Sequence, residues 1–409
     1  MRTFSTHSRP ASGRPSGISE RLRCVRSSPL AHRATWRESC PARGVSSRLD
    51  VERSTRFRSV TRPKIAAVDL FCGAGGLSLG LQAAGISVVA GIDLDPNCQY
   101  PYETNIGAKF IQADVSEVTG DSLTQLWPAG HLRLLAGCAP CQPFSKHRRG
   151  EDTSSEPGWG LLDHFSRLVR ETSPDFVTME NVSGVQHSEV FLRFVTELAT
   201  NYDVDYEVVY APNYGLAQHR KRLILVASRH GSVSTPRPLV SEHEYVSVRD
   251  VIAGLPSLEH GEQDPSDPLH RSRSLSEINL KRMRASVPGG TWRDWPEDLR
   301  AECHKRASGS SFQSVYARMS WDEPAPTITT QAYSFGSGRF GHPDQDRSIT
   351  LREAAMLQGF PREYKWTKPG ESVRLAPIGR LVGNAVPPPL GKAIGATFAQ
   401  HAATLEVEA

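Results

Sequence analysis

A chain of 409 residues with 38% hydrophobic content has room for one large α/β domain plus a smaller one, and for the cores they need. No uninterrupted apolar stretch approaches the roughly 18 residues of a membrane span, and the start carries no apolar secretory core, so a soluble cytoplasmic protein without a membrane partner is expected. The formal charge of +4 is too small to argue for a nucleic-acid partner by itself, and much of the excess lies in the Arg- and Ser-rich start.

Residues 1–62 mix Arg, Ser, Pro and Gly without sustained apolar periodicity, which reads as a disordered extension. A transit peptide, a start codon placed too far upstream or a loose electrostatic DNA contact would look the same. Order is expected from Lys64. A buried strand over 65–71 runs into the turn Cys72-Gly73-Ala74-Gly75-Gly76, and a short helix follows through Leu81. Strands over 88–93, 110–112, 132–137 and 176–180 then alternate with helices from Pro96, over 161–171 and over 190–198. That alternation implies a doubly wound, mostly parallel α/β sheet. Two more strands, 206–210 and 223–227, flank the loop Gln218-His219-Arg220-Lys221-Arg222.

From about 236 to 348 the texture changes to Pro, Gly, Ser, His and Arg, with a helical pattern over 275–284 and isolated Trp292, Trp295 and Trp321. A small loop-rich second domain is expected there. Helix returns over 351–358, and an apolar C-terminal helix from about Leu390 follows the turn Gly383-Asn384-Ala385-Val386-Pro387. No internal repeat is visible.

Ligands of open α/β sheets bind at the carboxyl ends of the strands, so the glycine turn after the first strand is a candidate site. Its glycines allow close backbone approach, and the amides opening the next helix suit an anion. A dinucleotide fingerprint would want glycine where this chain has Ser78, which favours a ligand without a pyrophosphate. S-adenosylmethionine fits: Asp93 could accept from ribose hydroxyls and Asp114 from an adenine amine.

The seven cysteines are odd in number and irregularly spaced, which disfavours a disulfide framework and fits a reducing compartment. The strand over 132–137 delivers Cys138-Ala139-Pro140-Cys141-Gln142 to the same sheet edge. A redox dithiol or half a zinc site would share this C-x-x-C, but no second C-x-x-C and no matching His pair exists, so no metal is expected. The next strand brings Glu180, and the basic loop brings Arg220 and Arg222. Each alone reads as an ordinary buried thiol, a capping or solvated carboxylate, or surface charge. Together they suit a thiolate that adds to cytosine carbon 6, with Glu180 at ring nitrogen 3 and the exocyclic amine and Arg222 at the ring oxygen. Cys138 is then left to packing.

With these motifs in order, the sequence resembles the DNA cytosine-5 methyltransferase family from about 64 to 396. Asp69-Leu70-Phe71-Cys72-Gly73-Ala74-Gly75-Gly76 is similar to its cofactor motif, Pro140-Cys141-Gln142 to its nucleophile motif and Glu180-Asn181-Val182 to its acid motif. Gln218, Arg220 and Arg222 match its Q-x-R-x-R, while Arg352 to Pro361 and Gly383 to Pro387 match two late motifs. The resemblance implies a class I S-adenosylmethionine-dependent, Rossmann-like catalytic domain over 63–235, completed by 349–409, with a target-recognition region over 236–348. It implies cofactor contacts from Asp69, Phe71, Gly73, Gly75, Gly76 and Leu77 on the first turn, and from Asp93, Leu94, Asp114 and Val115 on the next two. Pro140 and Leu161, with Asn384, Ala385 and Val386 of the late motif, complete that set.

Pro140 and Gln142 are expected beside Cys141 in the catalytic group, with Ser145, Lys146, Arg148 and Gln218 as DNA contacts. Base flipping in double-stranded DNA follows, because a stacked cytosine is out of the thiol's reach. The implied setting is a monomer associated with the nucleoid, serving as the modification component beside a restriction endonuclease. A transfer-RNA cytosine-5 methyltransferase and a silent DNA-binding regulator are the rival readings. Ala139 and Leu94 depart from the family, the latter standing where an aromatic often stacks on adenine.

Overall fold

A computed structural model describes residues 63–140, 160–306 and 315–405 of the chain, so the extension expected over 1–62 lies outside the described residues. Strands β1 (Ile65–Leu70), β2 (Ser87–Asp93), β3 (Lys109–Gln112), β4 (Leu132–Gly137), β5 (Phe176–Val182), β6 (Asp203–Tyr210) and β7 (Lys221–Ser228) make one sheet in the order β3-β2-β1-β4-β5-β7-β6. The first five are parallel to one another, whereas β7 runs antiparallel to both β5 and β6. Its direction follows from the connection over 211–220, which holds a single 3-10 turn (Ala211–Tyr214) and no crossover helix.

The sheet is covered on both faces because its strands are apolar at successive positions. In β1, Ile65 and Ala67 enter one core while Ala66, Val68 and Leu70 enter the other. Helices α1 (Gly76–Ala83) and α2 (Gln99–Ile106) cover the first face, contributing Leu77, Leu81, Tyr102 and Ile106. Helices α3 (Gly120–Thr124), α4 (Gly160–Thr172) and α5 (Glu189–Leu198) cover the second with Leu123, Phe165, Leu168, Phe191 and Phe194. Among the described residues no helix is long and apolar enough to cross a membrane.

Beyond β7 come α6 (Val248–Ile252), α7 (Glu277–Ala285), α8 (Glu302–Lys305), α9 (Leu351–Leu357), α10 (Leu375–Asn384) and α11 (Pro388–Ala402). Thr350 and Glu353 form a capping box that starts α9, the threonine hydroxyl accepting from the Glu353 amide and the carboxylate from the Thr350 amide. Proline opens α11, whose Leu390, Ile394 and Phe398 are fully buried against the first face, each worth roughly 1.5–3 kcal/mol relative to exposure. This helix crosses α1 at backbone distance: a Cβ on Gly80 would sit 2.5 Å from the Gly391 carbonyl carbon.

Two expectations are corrected here. The late turn is shorter than the sequence suggests, since Gly383 and Asn384 close the helix α10. The stretch 236–348 does not form a separate small domain. Val248, Ile252, Leu269, Met319, Ile328, Tyr333 and Phe340 lie in the same core as β1, β4 and β7, within one compact unit over 59–409. Among the described residues its own nucleus has Met283, Trp292, Trp295 and Phe335 buried, with Leu275, Leu299, Val315 and Tyr316 packed against them. Buried arginines tie it together. Arg318 donates to the carbonyls of Met283, Ser286, His342 and Gln345, and Arg347 forms a bidentate pair with Glu353 at 2.8 Å.

Candidate active site

The carboxyl ends of β1 to β5 share one edge of the sheet, and β7, being antiparallel, starts there too. The β1 turn needs unusual backbone: Phe71, Gly73 and Gly75 have φ of 57°, 53° and 90°. Glycine adopts this region without strain, while Phe71 holds it at some expense in backbone energy. Asp93 at the end of β2 fastens the turn, Oδ2 accepting from the Gly73 amide and Oδ1 from the Asp95 amide, both at 2.9 Å. The Gly73 amide is therefore committed to Asp93 rather than open to an anion. Each Asp93 oxygen keeps acceptor capacity for a hydroxyl. Burial raises its pKa against the pull of those amides.

Beneath the turn, Ser78 donates to Asp69 Oδ2 at 2.7 Å and meets the Tyr102 hydroxyl at 2.9 Å. The serine that replaces a fingerprint glycine thus has its own task. Asp69 is 1% exposed, and burial pushes its carboxyl up to about 7. Its Oδ1 has no hydrogen-bond partner among the described residues. Leu94 is 62% exposed beside Asp93, an apolar face open to a ring. Asp114 after β3 accepts from the Ser116 amide at 2.9 Å, a bond that lowers its pKa. Leu77, Val115 and Val386 are in the cores, so their backbone is what they present to a ligand. Leu161 is half-buried near the start of α4.

The late motif returns to this turn. The Val386 carbonyl oxygen lies 2.1 Å from where a Gly76 Cβ would be. Arg220 donates to the carbonyls of Gly383 (3.3 Å) and Ala385 (3.2 Å), and Gln358 Nε2 donates to Ala385 at 2.7 Å. An exposed apolar face at Leu94 and two strand-end carboxylates with acceptor capacity, Asp93 and Asp114, fit the adenine ring, the ribose hydroxyls and the adenine amine of S-adenosylmethionine.

The chemical edge gathers Glu180 and Arg222. They meet because β5 and β7 pair in register, Val182 opposite Arg222 and Glu180 opposite Ile224. Glu180 is 3% exposed, and its Oε1 lies 3.1 Å from Arg222 Nε, an ion pair that lacks the alignment of a hydrogen bond. Its Oε2 accepts from the Cys138 thiol at 3.0 Å. Asn181 donates to the Ala139 carbonyl at 3.0 Å and accepts from the Val182 amide, which ties the end of β4 to β5. Pro140 is exposed at that end. Cys141, Gln142, Ser145, Lys146 and Arg148 lie outside the described residues.

Arg220 is buried, and its guanidinium also donates to Gln218 Oε1 and the Ile328 carbonyl. Burial, then the charge of Arg222, lowers its pKa to about 9, against the pull of Glu180 and Cys138. It stays cationic and braces the rim from behind.

Gln218 is corrected: expected to touch DNA, it is fully buried. Its amide donates to the Leu357 carbonyl (3.2 Å) and Gln358 Oε1 (2.7 Å), while its oxygen accepts from the Ile328 amide at 2.9 Å. No donor or acceptor is left for a base. The sequence reading also missed Cys138, placed in packing, and Asn181 and Gln358 as braces. Asn181 carried a signal, because an amide following an acid at the end of a buried strand needs partners. A cavity of about 400 Å³ lined by Arg170, Glu197, Tyr202 and Arg229 lies at the opposite edge of the sheet and shares no residue with this site.

Comparison with known proteins gives a consistent result. The family model for C-5 cytosine-specific DNA methylase matches residues 65–400. A type II methylase of Herpetosiphon aurantiacus, M.HgiDII, is 48% identical over 333 residues, covering 80% of this chain and 93% of its own. The type II methyltransferase M1.HphI of Haemophilus parahaemolyticus is 31% identical, covering 80% and 84%. Among solved structures, a DNA modification methyltransferase encoded within an E. coli prophage superposes with a TM-score of 0.61 at 22% identity, covering 82% of this chain and 99% of that one, a likeness of fold.

Proposed function

Since the chain belongs to the C-5 cytosine-specific DNA methylase family and is thereby a DNA (cytosine-5) methyltransferase, we propose that it methylates a cytosine flipped out of double-stranded DNA, using S-adenosylmethionine and the Cys141 thiolate. The observation that carries this is the pair of buried Glu180 and half-buried Arg222, 3.1 Å apart, at the sheet edge where β4 ends. Cytosine carbon 5 is a poor nucleophile. Addition of the Cys141 sulfur to carbon 6 moves a ring electron pair toward carbon 5, while Glu180 shares a proton with nitrogen 3 and Arg222 donates to the ring oxygen. The cofactor supplies an electrophilic methyl group to carbon 5. Loss of the carbon-5 proton to solvent then returns the electron pair and expels the Cys141 thiolate. We infer that the Cys141 thiolate forms as substrate closes the site.

Asp93, Asp114, Leu94 and Asp69 would hold the cofactor, and Asn384, Ala385 and Val386 would close it from the late motif. Residues 236–348 would read the target, and Ser145, Lys146 and Arg148 would meet the flipped nucleotide. The relatives named type II methylases support a role as the modification component of a restriction–modification pair. Purified protein with labelled cofactor should methylate carbon 5 of cytosine in unmethylated DNA, and Cys141→Ser should abolish it. Double-stranded DNA containing 5-fluorocytosine should form a denaturation-resistant adduct. Transfer to RNA in preference to DNA, or full activity in Cys141→Ser, overturns the reading.

A further inference from the structure

We propose that Cys138 is a positioning residue, its thiol holding the Glu180 carboxylate in the orientation that the pyrimidine ring requires. The inference rests on the function proposed above and concerns the same site. Glu180 has two oxygens to orient. Oε1 faces Arg222 Nε at 3.1 Å without hydrogen-bond alignment, so that pair supplies charge but little direction. Oε2 accepts from the Cys138 Sγ at 3.0 Å, the aligned contact its side chain makes among the described residues.

The contact is built into the sheet. Gly137, the last residue of β4, pairs with Met179, so Cys138 directly after the strand follows beside Glu180 on β5. The Asn181 bond to the Ala139 carbonyl holds the two strand ends together directly after that pair, so thiol and carboxylate have little freedom to separate. Neither flanking residue, Gly137 nor Ala139, carries a side-chain donor. A thiol is a weak donor. It can fix the direction of a carboxylate while leaving that oxygen basic enough to take part in proton sharing with the ring, which a lysine or arginine at the same place would suppress.

The test uses the full chain, labelled S-adenosylmethionine and unmethylated mixed-sequence plasmid DNA. Cys138→Ala should lower kcat about tenfold, the order expected for one hydrogen bond to a charged group, with KM for cofactor and DNA unchanged within about twofold. Cys138→Ser, which restores a donor, should recover kcat to within about threefold of the parent. Should the alanine variant fail to fold, Cys138→Val keeps the volume without the donor and serves in its place. Parental kcat in a folded variant lacking the donor overturns the inference, as does a serine variant as impaired as alanine. An unmodified protein that transfers no methyl group to DNA overturns the function itself. An active parent with an unaffected Cys138→Ala removes only the role given to the thiol.

Discussion

Replacing Gly76 by alanine tests whether the late motif and the first turn act as one cofactor cradle. The added Cβ would fall 2.1 Å from the Val386 carbonyl oxygen and 3.2 Å from Phe360 Cζ. Relieving the first contact requires a displacement of roughly 1 Å, and the obstacle is backbone rather than a flexible side-chain end. That backbone is not free to move, because the adjoining Ala385 carbonyl is held by Arg220 and Gln358 at 3.2 and 2.7 Å. Overpacking of this kind costs about 1–3 kcal/mol. Alanine would return up to about 1 kcal/mol in helix propensity, less at a first-turn position such as this. The clash wins, and a net loss of about 1–2 kcal/mol at the cradle corresponds to roughly 5–30-fold weaker cofactor binding. Titration calorimetry with S-adenosylmethionine and with its demethylated product measures this, beside the thermal midpoint. Gly254→Ala is the control, since its Cβ would meet nothing within 4 Å. Parental affinity and an unchanged midpoint in Gly76→Ala would refute the cradle.

Burial opposes charge on Glu353, but the charge and hydrogen bonds of Arg347 override it and hold the carboxyl at about 2 against an ordinary 4.5. That stability is present in full above pH 4.5 and disappears as pH falls toward 2; burial of His342, lowered to about 4, adds a loss of the same sign below its ordinary 6.5. Arg347→Met should therefore cost about 3–5 kcal/mol in urea unfolding at pH 7 and flatten the acid limb, and an unchanged limb would reject the assignment. Asp69 has the opposite sign: raised to about 7 from 3.8, it contributes stability below 3.8 that is lost as pH rises through 7. Asp69→Asn should remove this loss of stability, read in the thermal midpoint, between pH 4 and 7; an identical pH dependence in both proteins over that range counts against a buried neutral carboxyl. Gln218→Ala should lose about 1–3 kcal/mol of stability by orphaning its buried partners. The affinity for DNA should stay as in the parent, and a folded variant that binds DNA about tenfold more weakly would restore Gln218 as a DNA contact.

The sequence by itself determined the alternation of strands and helices and the glycine turn at 72–76. It also determined the convergence of Glu180 and Arg222 on one sheet edge, because these depend on local pattern and on the rule that strand ends carry sites. Tertiary structure decided what depends on contacts between distant segments. The insertion of β7 between β5 and β6 is a matter of pairing, and no periodicity within either strand announces it. A loop-rich texture over 236–348 looks like independence, yet its apolar residues are spent on the core of the sheet. Gln218 reads as an exposed polar residue in a basic loop; only the arrival of Gln358, 140 positions later, shows it to be a buried brace. Cys138 is the same case at shorter range. As half of a C-x-x-C it has several meanings, and the pairing of β4 with β5 gives it one, a thiol aimed at the Glu180 carboxylate.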